Sequence, residues 1–466
     1  MREVDVAIIG AGTAGLNAMA QVRKAQRSFV LINGGHLGTT CARVGCMPSK
    51  ALIQVAEDFQ RRRVLARHGI VGGEHLHLEQ ATVMEHVRHL RDLFVDRVLQ
   101  GSTDNLGEEL IEGYARFIEP GLIAVGDETI GARRVVIAAG SSPLVPQNWR
   151  SFGDRVITTD DFFELQTLPA SIAVIGLGVI GLELGQALHR LGVQVTGVDA
   201  QTRIGGLTDQ GVSDEAIAVL GDEFPLWLGH PAEVLEQDDG RLKVRSGERE
   251  ALVEKVLVCI GRQPNLAGLQ VERLGVPLDA RGVPHYNPNT MQVGDLPVYI
   301  AGDVDADLPI LHEAGDEGRI AGYNAAHGVS EAFQRKTPFA VIFCDPGIAI
   351  VGTPWSQLAA RDDIVVGEMK VGPVGRALIM AKNKGVIRVY AERDSGRLLG
   401  GAMLAPKAES LGHALAWCVQ QQMTVFDMLA LPYYHPTLEE ALQAALYNLA
   451  GKVAKPPTAP LGLQRL

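Results

Sequence analysis

The sequence predicts an α/β fold in which one strand, turn, helix and strand unit occurs twice, and three observations carry that expectation. First, the β-branched stretch Val4 to Ile9 runs into Gly10-Ala11-Gly12-Thr13-Ala14-Gly15, a helical stretch from Leu16 to Arg27 and a second strand from Ser28 to Ile32. Second, the order returns about 165 residues later: Ile172-Ala173-Val174-Ile175, Gly176-Leu177-Gly178-Val179-Ile180-Gly181, a helix through Arg190 and a strand from Gln194 ending at Asp199. Third, 466 residues with 46% hydrophobic and 21% charged content describe a folded chain of about three domains. The units are Rossmann-like: their glycines permit a tight turn and close backbone approach, and the helix N-terminus offers unpaired N–H groups and a positive dipole end to a pyrophosphate. One such fingerprint is weak evidence, but strand, glycines, helix and strand in order, twice, is specific. Dinucleotides are therefore expected at Gly10, Gly12 and Gly15 and at Gly176, Gly178 and Gly181.

A formal charge of −11 and a pI near 5.7 argue against nucleic acid or an anionic membrane as partner, since both call for a basic surface. No run of 18 or more apolar residues is present to span a bilayer. The first residues enter the first strand directly, so no signal or transit peptide is expected and the location predicted is cytoplasmic.

Cys41 and Cys46 lie in Gly38-Thr39-Thr40-Cys41-Ala42-Arg43-Val44-Gly45-Cys46-Met47-Pro48-Ser49-Lys50, shortly after the first fingerprint. In a cytosolic chain a close cysteine pair points to redox or metal chemistry rather than a structural disulfide. Cys259, Cys344 and Cys418 are scattered through apolar surroundings, and no further cluster with zinc spacing exists, so no metal site is expected. In a regular helix two residues five apart have Cα atoms about 8 to 9 Å apart, beyond the disulfide limit of about 7 Å. The backbone near Val44-Gly45 must therefore leave the helix, and glycine, tolerant of positive φ, makes that inexpensive. Pro48 suits the first turn of a new helix, whose N-terminus would lower the Cys46 pKa.

Two dinucleotide sites beside a cysteine pair imply an electron relay. A flavin takes two electrons as hydride from a nicotinamide and exchanges them with a thiolate, so it must lie between the two. The unit next to the cysteines is expected to hold FAD, and the second NAD. Asp199 stands where a carboxylate accepts from the adenosine ribose 2′-OH and repels a 2′-phosphate, which favours NAD over NADP; Arg203 lies nearby.

With these motifs the chain resembles, from end to end, the flavoprotein disulfide reductases, and within them the dihydrolipoamide dehydrogenases. Ala138-Ala139-Gly140-Ser141, Ile260-Gly261-Arg262-Gln263-Pro264-Asn265, Ala301-Gly302-Asp303-Val304, the run Cys344 to Gly352 and His435-Pro436-Thr437-Leu438-Glu439-Glu440 complete the likeness. The resemblance implies two Rossmann-like dinucleotide-binding domains, for FAD and NAD, plus a C-terminal α+β dimerisation domain. The organisation it suggests is a FAD domain over 1–150, an NAD domain over 151–265, a segment over 266–335 that completes the FAD domain, and an interface domain over 336–466. It makes Cys46 the flavin-facing thiolate, Cys41 the thiol that exchanges with substrate, Lys50 and Glu183 a pair near the flavin and nicotinamide, and Asp303 the partner of the flavin ribityl chain. It makes His435 the base, oriented by Glu440 as an acid orients the histidine of a hydrolase triad. That His-Glu pair would serve the other subunit's site, so a homodimer with shared sites is implied. Gly140 and Gly261 would close the FAD and NAD segments.

The likeness implies oxidation of a dihydrolipoyl dithiol, free or on a lipoyl carrier domain, through Cys41-Cys46 and FAD to NAD. The alternatives are an NAD(P)H-driven reductase of another disulfide and a non-catalytic flavoprotein. Asn33 replaces the family's usual glutamate at the flavin ribose position, Tyr433 replaces a second histidine, and Thr40 stands where glycine is more usual. The C-terminus, 452–466, lacks the cysteine pair of mercuric reductases. Arg61-Arg62-Arg63 reads as a solvated face more readily than as a carrier-docking patch, and His75, His77, His86 and His89 as ordinary surface residues.

Overall fold

The computed structural model describes residues 1–463. Its first sheet is seven-stranded. Strand Arg2–Ile9 lies between Phe29–Asn33 and Glu128–Ile137, parallel to both, in the register Val6↔Phe29 and Val6↔Arg134. Buried on both faces, this strand reads as an unbroken apolar run, Val6-Ala7-Ile8-Ile9, rather than an alternating one. Each fully buried aliphatic side chain there contributes about 1.5–3 kcal/mol before chain entropy is subtracted. The helix behind the first glycine turn is Thr13–Lys24, ending three residues earlier than Arg27, because Gln26 turns to positive φ (54°) ahead of the strand.

The chain returns to this sheet late. Val298–Ile300 pairs parallel with Glu128–Ile137, and helix Leu311–His327 packs on Thr13–Lys24 through small residues. A Cβ on Gly318 would lie 2.2 Å from the Ala14 carbonyl oxygen, and one on Gly322 2.5 Å from the Ala18 backbone, so only glycine allows the two helices to approach this closely.

The second sheet has five parallel strands, in the spatial order Leu226–Leu228, Gln194–Asp199, Ser171–Ile175, Lys255–Val258 and Val156–Ile157. A three-stranded antiparallel sheet accompanies it. The chain enters and leaves this unit side by side, since Ser141–Pro143 pairs antiparallel with Arg262–Pro264. The last unit is a five-stranded antiparallel sheet, Phe339–Ile342, Gly347–Gly352, Leu398–Ala405, Val386–Glu392 and Ile364–Lys370 in spatial order. Helices Ala408–Gln420 and Glu439–Ala450 pack on it, which leaves Leu398–Ala405 buried along its whole length. Among the described residues no helix is long and apolar enough to cross a membrane.

Candidate active site

Cys41 lies on the short helix Thr40–Val44, and Cys46 is the first residue of helix Cys46–Gln60. The break between them is at Gly45, whose φ of −125° is not the positive value expected. Glycine suits the break through space instead: an added Cβ would sit tightly, 3.0 Å from the Thr40 carbonyl oxygen and 3.2 Å from the Cys41 Cα. The left-handed backbone occurs earlier, at Thr39 (φ 64°), whose hydroxyl accepts from the Ala42 N–H and caps the Cys41 helix. The position with a glycine-like conformation is thus Thr39, and Thr40 is simply helical. Both thiols are half-buried. The Cys41 thiol donates to Cys46 and so lowers the Cys46 pKa to about 7, with Lys50 adding to the effect against the opposing cost of burial. Cys41 is correspondingly pushed up, by that hydrogen bond and by burial. The pair is asymmetric, and Cys46 is the cysteine that ionises first.

One turn along the same helix, the Lys50 ammonium donates to Glu183 Oε2 at 2.7 Å. Glu183 is 3% exposed, and its other oxygen, Oε1, accepts from the Phe343 N–H at 2.9 Å. The Phe343 ring lies 4.6 Å from Lys50 Nζ, a cation–π distance. The three residues come from three separate units, and only Phe343 has no sequence motif to announce it.

The fingerprint glycines divide by duty. A Cβ on Gly15 would fall 1.8 Å from the Gly10 carbonyl oxygen, and one on Gly181 1.9 Å from that of Gly176. Gly10 and Gly176 have positive φ (110° and 96°). Gly12 and Gly178 instead face open space, with nothing within 4 Å of an added Cβ, and each precedes a helix with no side-chain cap. The N–H groups at those two helix starts are left for a ligand. Asp199 accepts from the Leu177 N–H (2.7 Å) and the Gln201 N–H (2.8 Å), while Asn33 Oδ1 accepts from the Ala11 N–H (3.2 Å). Both strand-end residues therefore brace the second residue of their own glycine turn.

Asp303 follows the late strand of the first sheet, where its Oδ2 accepts from the Ser141 hydroxyl at 2.8 Å. Arg262 donates through Nε to the same hydroxyl at 2.7 Å. Gly140 and Gly261, both at positive φ, precede the two antiparallel strands of the connection and lie at its opposite ends, while Ser141, Arg262 and Asp303 meet at one corner. Behind it the Gly302 N–H donates to Glu317 (2.7 Å), and Arg335 ties Glu317 to Glu313 at 2.6 and 2.7 Å.

His435 stands in the last unit with its side chain 83% exposed, and Nδ1 lies 2.8 Å from Glu440 Oε1. The other Glu440 oxygen accepts from the Thr437 N–H at 3.0 Å. These two bonds, His435 first, hold the Glu440 carboxyl below the usual range. An ionised carboxylate only accepts, so Nδ1 carries the proton, and Nε2 is the nitrogen that faces away from Glu440.

The other candidates are quieter. Arg61 donates to the Met380 carbonyl oxygen, and Arg62 stacks on Phe59 at 3.4 Å. Cys259 directly follows its strand, half-buried, with its thiol pushed up to about 12 by burial, and burial likewise raises Cys344 and Cys418. Among the described residues no group of three or more His, Cys, Asp or Glu is arranged to hold a metal ion.

The family described as pyridine nucleotide-disulphide oxidoreductase matches residues 4–328, and its dimerisation domain matches residues 338–446. The chain belongs to this family. It is accordingly a flavoprotein disulfide oxidoreductase with FAD and NAD as cofactors, and the open space over the two uncapped helix starts at Gly12 and Gly178 fits two dinucleotides. The chain is 31% identical to the dihydrolipoyl dehydrogenase of Pseudomonas aeruginosa, covering 96% of this chain and 98% of that one. It is 31% identical to that of Thermus scotoductus, over 96% and 97%. A mercuric reductase of Bacillus cereus is 28% identical, over 97% of this chain and 72% of the relative. Among solved structures, the HOCl-induced flavoprotein disulfide reductase RclA of Escherichia coli superposes with a TM-score of 0.82 at 21% identity, over 96% and 99% of the chains. LpdA of Mycobacterium tuberculosis gives 0.81 at 24%, over 96% and 100%. These two likenesses establish the shared fold.

Proposed function

We propose that this enzyme oxidises a dihydrolipoyl dithiol with NAD as acceptor. The observation that carries the reading is the asymmetric Cys41-Cys46 pair at a helix start, in a chain aligned over nearly its whole length with dihydrolipoyl dehydrogenases. In the oxidised enzyme the two cysteines form a disulfide. A substrate thiolate attacks Cys41, the S–S bond breaks, and Cys46 leaves as the thiolate that the neighbouring S–H group and Lys50 favour. The second substrate thiol then attacks the mixed disulfide, forming the substrate disulfide and freeing Cys41. Of the two substrate thiol protons, one is taken by His435 Nε2, its ring held by Glu440, and the other ends on the Cys41 thiol. FAD, which the first glycine turn and Asp303 would hold, would supply the two-electron link between the dithiol and NAD. Lys50, with Glu183 as its counter-ion, would place a positive charge where the flavin gains negative charge.

In this reading two copies associate through the last unit, and the exposed His435 serves the second copy's cysteines. Gly140, Asn33 and Asp303 belong to the FAD site and Asp199 and Gly261 to the NAD site, with domain limits near 150, 265 and 335. Steady-state oxidation of dihydrolipoamide with NAD⁺ and then NADP⁺ tests the reading, with Cys41→Ser as control. Fast NAD⁺ reduction that vanishes in the variant is the expected result. Negligible turnover, while NADH still bleaches the flavin, would redirect the search to another disulfide.

A further inference from the structure

The face of helix Val179–Arg190 that carries Glu183 carries two more buried polar side chains, Gln186 and Arg190, 3% and 5% exposed. Their spacing places all three on one side of the helix. All three reach the same short stretch of the last unit. Glu183 accepts from the Phe343 N–H; Gln186 Oε1 accepts from the Asp345 N–H at 2.8 Å while its Nε2 donates to the Asp345 carbonyl oxygen at 2.9 Å. Arg190 donates to that carbonyl at 2.9 Å and to the Asp345 carboxylate at 3.2 Å. Glu223 backs both, accepting from Gln186 at 2.9 Å and from Arg190 at 2.8 and 2.9 Å.

An apolar seam would join two units at least as firmly as buried ions do, because every buried charge first loses its hydration. What directional hydrogen bonds add is register. Asp345 lies two residues from Phe343, so a chain held at Asp345 by both its N–H and its carbonyl has little freedom at the Phe343 amide. The side-chain hydrogen bonds of Gln186 and Arg190 go to Asp345 and Glu223, not to the cysteines or the glycine turn.

We propose that Gln186 and Arg190 are positioning residues for the redox centre: by holding Asp345 they hold Phe343 against Glu183, and so keep Glu183 paired with Lys50 beside Cys46. The inference rests on the proposed Lys50 and Glu183 roles, and its test does not depend on the substrate. The groups that set the charge state of Cys46 are Cys41, Lys50, Glu183 and its own backbone amide, and among them Glu183 opposes the thiolate.

The experiment follows alkylation of Cys46 against pH in the FAD-loaded protein, resolved by peptide mass spectrometry, in a Cys41→Ser background where Cys46 cannot be lost to a disulfide. Glu183→Gln sets the full effect. Gln186→Met, which keeps the volume and removes both hydrogen bonds to Asp345 together with the one to Glu223, is expected to lower the midpoint in the same direction by about half a unit, about threefold in rate below the midpoint. Gln186→Asn, too short to span to Asp345, serves if the methionine variant does not fold. A Gln186 variant with an unchanged midpoint overturns the proposal, whatever its melting temperature, for a merely structural role would move only the latter. An unchanged midpoint in Glu183→Gln overturns it too. Dihydrolipoamide turnover with Cys41 present reports separately on the substrate reading.

Discussion

Replacing Cys41 separates its hydrogen bond from the other influences that set the Cys46 thiolate. The Cys46 pKa falls from 9.0 to about 7, and the largest cause is the hydrogen bond from Cys41, ahead of the Lys50 charge; burial works the other way. That fall corresponds to about 3 kcal/mol of preference for thiolate over thiol. Cys41→Ala removes the donor and leaves Lys50 and the backbone amide to offset burial and Glu183, so Cys46 is expected to titrate above pH 8. Its thiolate fraction at pH 7 then drops from about one half to under about one tenth. Cys41→Ser keeps an O–H donor at the same place and is expected to stay within about half a unit of 7. Both variants leave Cys46 unable to form the disulfide, so the comparison is like for like. The assay is the pH dependence of Cys46 alkylation in the FAD-loaded protein. Equal midpoints for the alanine and serine variants would refute the assignment of the shift to Cys41.

Three further outcomes are expected. Gly181→Ala places a Cβ 1.9 Å from the Gly176 carbonyl oxygen and should lower the melting temperature or the soluble yield, whereas Gly178→Ala, facing open space, should melt like the parent and raise the NADH KM about tenfold; matching effects at the two positions would contradict the division of duties. Glu440→Gln should cut kcat for dithiol oxidation about 10- to 100-fold while NADH oxidation by an artificial acceptor stays near the parent rate, and an equal loss in both assays would remove His435 from the proton transfer. Burial, and then the neighbouring Asp305, raises Glu317 from 4.5 to about 7, so its stabilising share is complete below pH 4.5 and lost as pH rises through 7, about 3 kcal/mol in all. Glu317→Gln lacks that slope and should gain on the parent between pH 5 and pH 8 in melting temperature, and parallel curves would sink the argument.

The sequence by itself determined what depends on neighbours in the chain. Both glycine turns were legible because their constraint is local: the carbonyl oxygen that excludes a Cβ at Gly15 belongs to Gly10, five residues back. The helix break between the cysteines was legible from the reach of a disulfide, and the helix start at Cys46 from Pro48. The reason for Gly45 was not, since tight contact with Thr40 and Cys41 leaves no mark on residue spacing, nor was the left-handed turn at Thr39. Only the tertiary structure could bring Ser141 to Asp303, 162 positions apart, or Gln186 to Asp345, 159 apart. Those meetings depend on which strands pair and how closely helices approach. Val298–Ile300 joining Glu128–Ile137, and Gly318 lying on Ala14, are set by complementary surfaces rather than by any period in the chain.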